Sequence, residues 1–233
     1  VERPEMGGFD WSSIVQALPF LGKGLTYTLQ LTLVAGVGGT LWGILLALAR
    51  LSSIKALARA SAVYVNLMRS IPLLLVIFWF YFLVPIMLQW ITGAAYPPKI
   101  GAERSAYVTF ILFEGAYFCE IVRAGIQSIP KGQLSAAYAM GLGYAQAMRL
   151  VILPQALRNM LPVLLTQTIV LFQDVSLVAL LNVTDFVGAA VKIAQRDSRI
   201  VEMYTFVAVV YFVLSYGLSQ GVRSLNRRIA IIR

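Results

Sequence analysis

Long apolar blocks separated by short polar breaks run through the chain, and five of them are long enough to cross a bilayer. Residues 25–49 carry no charge, and at about 1.5 Å per residue they exceed a hydrocarbon core of roughly 30 Å. Residues 60–90 hold Arg69 and Pro72 ahead of the dense run LLLVIFWFYFLVPIML. Further spans are predicted at about 105–122, 161–181 and 201–221. Before the first of them, Phe9, Trp11, Ile14, Val15 and Leu18 recur at helical spacing behind Asp10, a candidate N-cap. That pattern predicts a short interfacial helix ending at Pro19.

One stretch fits neither a span nor a solvated loop. SAAYAMGLGYAQAMRLVILPQALRNMLP, residues 135–162, is half apolar and interrupted by Gly141, Gly143, Pro154 and Pro162. Its pattern predicts one helix over 136–140 capped by Ser135 and a break at Gly141-Leu142-Gly143. A second helix is predicted over 144–153, with Pro154 and Pro162 setting turns on either side of 155–161. Leu134, Tyr138, Leu142 and Met148 would form an apolar surface there.

Composition supports the membrane reading. Charged residues make up 12% of the 233, about half the usual share in a soluble domain. With no histidine and a single cysteine, Cys119, the chain has no Cys/His metal set, no internal disulfide and no Ser-His-Asp triad. Cys119, within an apolar run, reads as a buried small hydrophobe. The opening VERPEMGGFDW lacks the basic and apolar regions of a signal peptide, so insertion is expected to rely on the spans.

The net charge of +9 resolves into a topology. With the N-terminus outside, the inside segments hold Arg50, Lys55 and Arg59, then Arg123, Lys131, Arg149 and Arg158, then Arg223, Arg227, Arg228 and Arg233. Those eleven stand against seven outside, Arg3, Lys23, Lys99, Arg104, Lys192, Arg196 and Arg199. The acidic residues Glu2, Glu5, Asp10, Glu103, Asp185, Asp197 and Glu202 fall outside as well. The positive-inside rule therefore predicts N-out and C-in. The basic surfaces then face anionic lipid, and no nucleic acid is needed as a partner.

Under this topology the 135–162 stretch lies on the cytoplasmic side. SAAYAMG followed by VILPQALR resembles the cytoplasmic EAA loop of bacterial ABC-importer permeases, with Ala136, Ala137, Gly141, Ile152, Leu153 and Pro154 at matching positions. Ser135 stands where the pattern usually has glutamate. GLTYTLQLTL, YVNLMRSIPLLLVIFWFYF, GAYFCEIVRAGIQSIPKGQ and LFQDVSLVALL are similar, in the same order, to the polar-amino-acid branch of that family. The similarity covers nearly the whole chain and looks closest to the glutamate/aspartate permease subunits.

That resemblance implies an all-α membrane protein of the type I importer fold. It would have five transmembrane helices, an N-terminal interfacial helix, and short cytoplasmic coupling helices within about 127–160. It implies a second permease subunit, two cytoplasmic ATP-binding subunits holding ATP and Mg²⁺, a periplasmic substrate-binding protein, and residence in the bacterial inner membrane. Ser135, Ala136, Ala137, Gly141, Leu142, Gly143, Ile152, Leu153 and Pro154 would form the coupling element. No Gly-rich phosphate loop ending in Gly-Lys-Ser/Thr occurs, so this chain is not expected to be the ATPase.

Polar residues at membrane depth are costly and face cavities or partners. Thr166, Gln167, Gln173 and Asp174 repeat at a seven-residue interval. That interval returns a helix to within about 20° of its starting direction. With Ser176 they define a polar face opposite Leu164, Leu171, Val175 and Val178. Glu114 has no sequence-local cation and reads as a cavity residue; Glu120 and Arg123 lie three apart and read as a structural pair. Arg69 is placed near the cytoplasmic mouth of the second span, where Pro72 would kink it. Asp174, Gln173, Ser176, Thr166, Gln167, Glu114 and Arg69 are the candidate substrate path, against the alternative of interhelical bonding alone.

Three other readings stay open. An ion-coupled secondary transporter normally shows internal repeats, which are not visible here. An intramembrane enzyme would have only Glu114, Glu120 and Asp174 to work with. A permease for another polar amino acid (glutamine, histidine or arginine) shares the same pattern.

Overall fold

The computed structural model describes residues 9–229. Glu2, Arg3, Glu5 and Arg233, which entered the charge count, lie outside the described residues. Helices account for the fold, with no strand among the described residues. Five helical rods are long and apolar enough to cross a membrane: Trp11–Leu51, Leu73–Thr92, Ala102–Gln127, Tyr144–Leu181 and Ile200–Arg228.

The first rod, α1 (Trp11–Leu51), contains the predicted interfacial helix rather than following it. Asp10 caps it as expected, accepting from the Ser12 amide at 2.9 Å. Pro19 lies inside the helix and does not end it. A mid-helix proline costs about 3 kcal/mol, but Ile14, Ala17 and Leu21 on both sides of it are buried in one cluster with Phe186, Ala189, Ile193 and Met203. Burial of three apolar residues on a common face keeps the helix continuous through the missing hydrogen bond.

The second predicted span is two helices. α2 (Lys55–Ser70) folds back along α1, where Ser61 Oγ donates to the Leu46 carbonyl at 2.8 Å. The chain then opens at Ile71 and Pro72, both extended, because a residue preceding proline is driven out of the helical region. α3 (Leu73–Phe78), a π turn (Trp79–Leu83) and α4 (Val84–Thr92) form the spanning rod.

α5 (Ala102–Gln127) runs parallel to α1, the most extensive packing in the molecule. The approach depends on Gly43: a Cβ there would lie 2.7 Å from Phe118 Cβ and 2.8 Å from the Cys119 amide. Cys119 is fully buried, as its apolar context predicted. α6 (Lys131–Ala139) follows, then α7 (Tyr144–Ala147), a π turn (Met148–Ile152) and α8 (Leu153–Asp174), extended by a 3₁₀ turn (Val175–Leu181). The turns expected at Pro154 and Pro162 are absent, since both prolines lie within continuous helical path. At Pro154 the preceding π turn lets the Leu153 amide bond back to the Met148 carbonyl, a wider register that absorbs the proline. Pro85 follows the other π turn in the same way.

α9 (Phe186–Asp197) and α10 (Ile200–Ile229) close the bundle on α1 and α8. The main core joins Leu31 and Ala35 of α1, Ile77 of α3, Phe110 and Phe113 of α5, and Leu171, Val175 and Val178. Three of the residues assigned to the apolar side of the fourth span, Leu171, Val175 and Val178, are therefore core residues.

Candidate functional site

The bundle carries two candidate sites, one at mid-span and one at its basic end. The mid-span pocket, about 370 Å³, sits where the chain opens between α2 and α3. That lies within the roughly 300–1,000 Å³ range of small-molecule sites. Arg69, Ser70, Ile71 and Pro72 form one wall, Phe113, Glu114 and Tyr117 of α5 another, and Gln167, Val170 and Asp174 of α8 the third. Arg69 lies on the last turn of α2, just ahead of the Leu73–Thr92 rod. α2 is held against α1 and α5 by Tyr64, whose hydroxyl donates to the Leu112 carbonyl at 2.9 Å and accepts from Trp42 Nε1 at 3.2 Å.

Glu114 is fully buried near the middle of α5. Gln167 Nε2 donates to its Oε2 at 3.0 Å, while Oε1 has no partner among the described residues. Such an atom carries a desolvation cost of about 1–3 kcal/mol, relieved by any donor entering the pocket. Gln167 and Asp174, seven apart, do share the pocket face as the spacing predicted.

The rest of the predicted polar face is dispersed. Thr166 returns its hydroxyl to the Pro162 carbonyl at 2.8 Å, and Gln173 reaches α10, donating to Ser215 Oγ at 3.1 Å. Ser176 falls in the 3₁₀ turn, outside the pocket lining. Residues 166 and 173 lie one step around the helix from 167 and 174, enough to face a different neighbour. Sequence reasoning missed Phe113 and Tyr117 as pocket residues; their one-turn spacing on either side of Glu114 was the available signal. Glu120 does pair with Arg123, at 2.6 Å, and also with Arg50 of α1, a partner no local spacing could reveal.

At the basic end, α6 and α7 form an arm off the bundle. Ser135 does not cap a helix over 136–140. α6 already starts at Lys131 behind Pro130, and Ser135 lies within it, exposed. The break after α6 is a glycine-ended helix stop: Gly141 has φ +80, its amide donates to the Tyr138 carbonyl at 2.9 Å, and the Leu142 amide reaches the Ala137 carbonyl at 3.1 Å. This double bond pattern needs a left-handed residue at position 141. Gly143 has an ordinary φ of −71, and its amide donates to Gln146 Oε1 at 3.1 Å.

Ala137, Ala147 and Ile152 are buried, whereas Ala136, Leu153 and Pro154 are exposed and Leu142 is half-buried. Tyr138, Met140, Tyr144, Leu150 and Leu157 leave apolar surface exposed on and beside the arm. The arm is tied to α8 by Gln155 Nε2, which donates to Gln133 Oε1 at 3.3 Å, while Asn159 Nδ2 of α8 donates to Ser128 Oγ at the end of α5 at 2.8 Å. α5 and α8 cross closely below it, where a Cβ on Gly125 would meet Met160 Cβ at 2.8 Å.

A charged pocket set halfway along helices with apolar outer faces, joined by two of those helices to an arm outside the bundle, marks an integral membrane permease. The chain belongs to the family of binding-protein-dependent transport system inner membrane components, whose pattern it matches over residues 39–231.

It is 52% identical to the glutamate/aspartate import permease protein GltK of Escherichia coli O157:H7, over 95% of this chain and 99% of that protein. It is 33% identical to the glutamine transport system permease protein GlnP of Escherichia coli K12, over 96% and 99%. The crystal structure of an amino acid ABC transporter with histidines superposes with TM-score 0.85 at 33% identity, covering 94% of this chain and 98% of that one. The chain is accordingly an inner-membrane component of a binding-protein-dependent importer, and the secondary-transporter reading is set aside.

Proposed function

We propose that this chain is a permease subunit of an ABC importer for an acidic amino acid, glutamate or aspartate, and that the mid-span pocket is a station on the substrate's path. The observation that carries the reading is one pocket uniting Arg69 with Glu114, Gln167 and Asp174. An amino acid leaving water needs partners for its ammonium and its carboxylates. Glu114 Oε1 and Asp174 would take the ammonium, and Arg69 with nearby amide and backbone donors would take the carboxylates. The 52% identity to a glutamate/aspartate permease supports the substrate class.

In this reading the chain performs no covalent chemistry, and ATP and Mg²⁺ are bound by separate cytoplasmic ATP-binding subunits. Two permease subunits form the pathway, with N-termini periplasmic and C-termini cytoplasmic, and a periplasmic binding protein delivers substrate. The arm, including Ala136, Ala137, Gly141, Leu142, Gly143 and Pro154, seats in the ATP-binding subunit. Its bonds to α8 and the close α5–α8 crossing give the movement a rigid route to Glu114, Gln167 and Asp174.

A second reading is favoured by the charge count in the pocket, two carboxylates against one guanidinium. It assigns a neutral or cationic amino acid such as glutamine, histidine or arginine. Uptake by the reconstituted complex separates the two. Asp174→Asn should lower glutamate and aspartate uptake in a complex that still assembles. Wild-type uptake by that variant would move Asp174 to a structural role, and a complex carrying only cationic amino acids would overturn the acidic assignment.

A further inference from the structure

Arg69 is the one basic residue lining the mid-span pocket, yet it forms an ion pair with neither Glu114 nor Asp174 among the described residues. Its guanidinium carbon instead lies 5.4 Å from the centroid of the Tyr117 ring, within the ~6 Å reach of a cation–π contact. Tyr117 is itself supported by Phe113, with ring centroids 5.3 Å apart, and Phe113 belongs to the main core. A guanidinium held by its face keeps its edge N–H donors available.

We infer that Tyr117 is a positioning residue for this site: its ring holds Arg69 away from Glu114 and Asp174, leaving the guanidinium fork open to the side-chain carboxylate of an acidic amino acid. The inference rests on the substrate reading proposed above. Arg69 sits on the last turn of α2, so its flexible stem can turn toward whichever partner is most favourable. Without the ring, the guanidinium is free to swing toward a pocket carboxylate. The guanidinium would then be neutralised within the pocket, and an anionic ligand would have to break that pair to bind. The α-carboxylate is common to glutamate and glutamine, but the side-chain amide of glutamine would not face the same competition, so Tyr117 governs preference between acid and amide as well as affinity.

The test is equilibrium binding of radiolabelled glutamate and glutamine to the purified permease–ATP-binding complex without its binding protein, whose own affinity would otherwise dominate. Tyr117→Leu should weaken glutamate binding by about two- to fivefold, the scale of a cation–π contact to an exposed guanidinium, and weaken glutamine binding much less. Tyr117→Phe should retain glutamate binding, because the ring rather than the hydroxyl faces the guanidinium. Tyr117→Met, similar in bulk but without a π face, should behave as Tyr117→Leu and serves if the latter fails to assemble. Adding Glu114→Gln to Tyr117→Leu should restore part of the loss by removing the competing carboxylate.

Equal losses for glutamate and glutamine, a Tyr117→Phe variant as weak as Tyr117→Leu, or no recovery in the double variant would each overturn the inference. Arg69→Ala separates this from failure of the site reading. If it leaves glutamate binding intact, the pocket is not the acidic site. If it abolishes binding while Tyr117→Leu does not, only the positioning role falls.

Discussion

Replacing Gly141 tests whether the arm works through its backbone geometry. At φ +80 the residue occupies the left-handed region, where a Cβ costs roughly 1–2 kcal/mol. Nothing lies within 4 Å of where that Cβ would sit, so collision adds nothing and the backbone cost stands alone. A cost of that size lowers the population of the closed helix stop about 5- to 30-fold relative to open forms, and with it the arm geometry proposed to seat in the ATP-binding subunit. Gly143 is the internal control. Its φ of −71 and ψ of 164 suit any residue, and its nearest neighbour would be Gln146 Oε1 at 3.9 Å.

In proteoliposomes containing the whole importer, Gly141→Ala should reduce both uptake and the ATP hydrolysis stimulated by loaded binding protein. Gly143→Ala should match wild type. Gly141→Asn should be milder than Gly141→Ala although asparagine is larger, because asparagine tolerates the left-handed region. Equal effects at 141 and 143, or damage at 141 that grows with side-chain size, would refute the backbone argument.

Other expectations are as direct. In a Cys119→Ala background, a cysteine at Ala94 should react with an impermeant thiol reagent on intact cells, and one at Gln146 only after permeabilisation; the reverse would invert the N-out topology. Gly43→Ala should cost about 1–3 kcal/mol through overpacking, read as a lowered thermal midpoint of the detergent-solubilised protein, whereas a neutral effect would mean α1 and α5 separate easily. Burial pushes the Asp185 carboxyl, the N-cap of α9, up from 3.8 to about 6. The folded state therefore holds that proton more tightly than the unfolded chain, and this group's contribution to stability is full below about pH 4 and is lost as pH rises through about 6. Asp185→Asn, which keeps the cap, should flatten that decline; an unchanged pH profile would assign it to other groups.

Much of this protein was legible in the order of its residues. Five apolar blocks, the Gly- and Pro-broken arm and the one-sided basic charge are all local properties, read within a window of a few turns. Hydrocarbon excludes unsatisfied backbone, so a long apolar block has little choice but to be a helix. The pairing of Gln167 with Asp174 on one face was also readable, because a helix's period is known before its neighbours are.

What local reasoning misjudged was the effect of Pro19, Pro72, Pro154 and Pro162. Pro19 and Pro162 were taken to end helices and do not; Pro72, taken as a kink, opens the chain completely. The difference lies in what surrounds them. Around Pro19 the flanking residues are buried against α9 and α10, and that burial outweighs one lost hydrogen bond. Around Pro72 the opened backbone lines a polar pocket instead. Arg69, Glu114, Tyr117 and Asp174 come from three segments far apart in sequence, and no spacing rule relates them. Only the packing of α2 into the groove beside α1 and α5, through Ser61, Tyr64 and Trp42, decided that a cation would meet two carboxylates at mid-span.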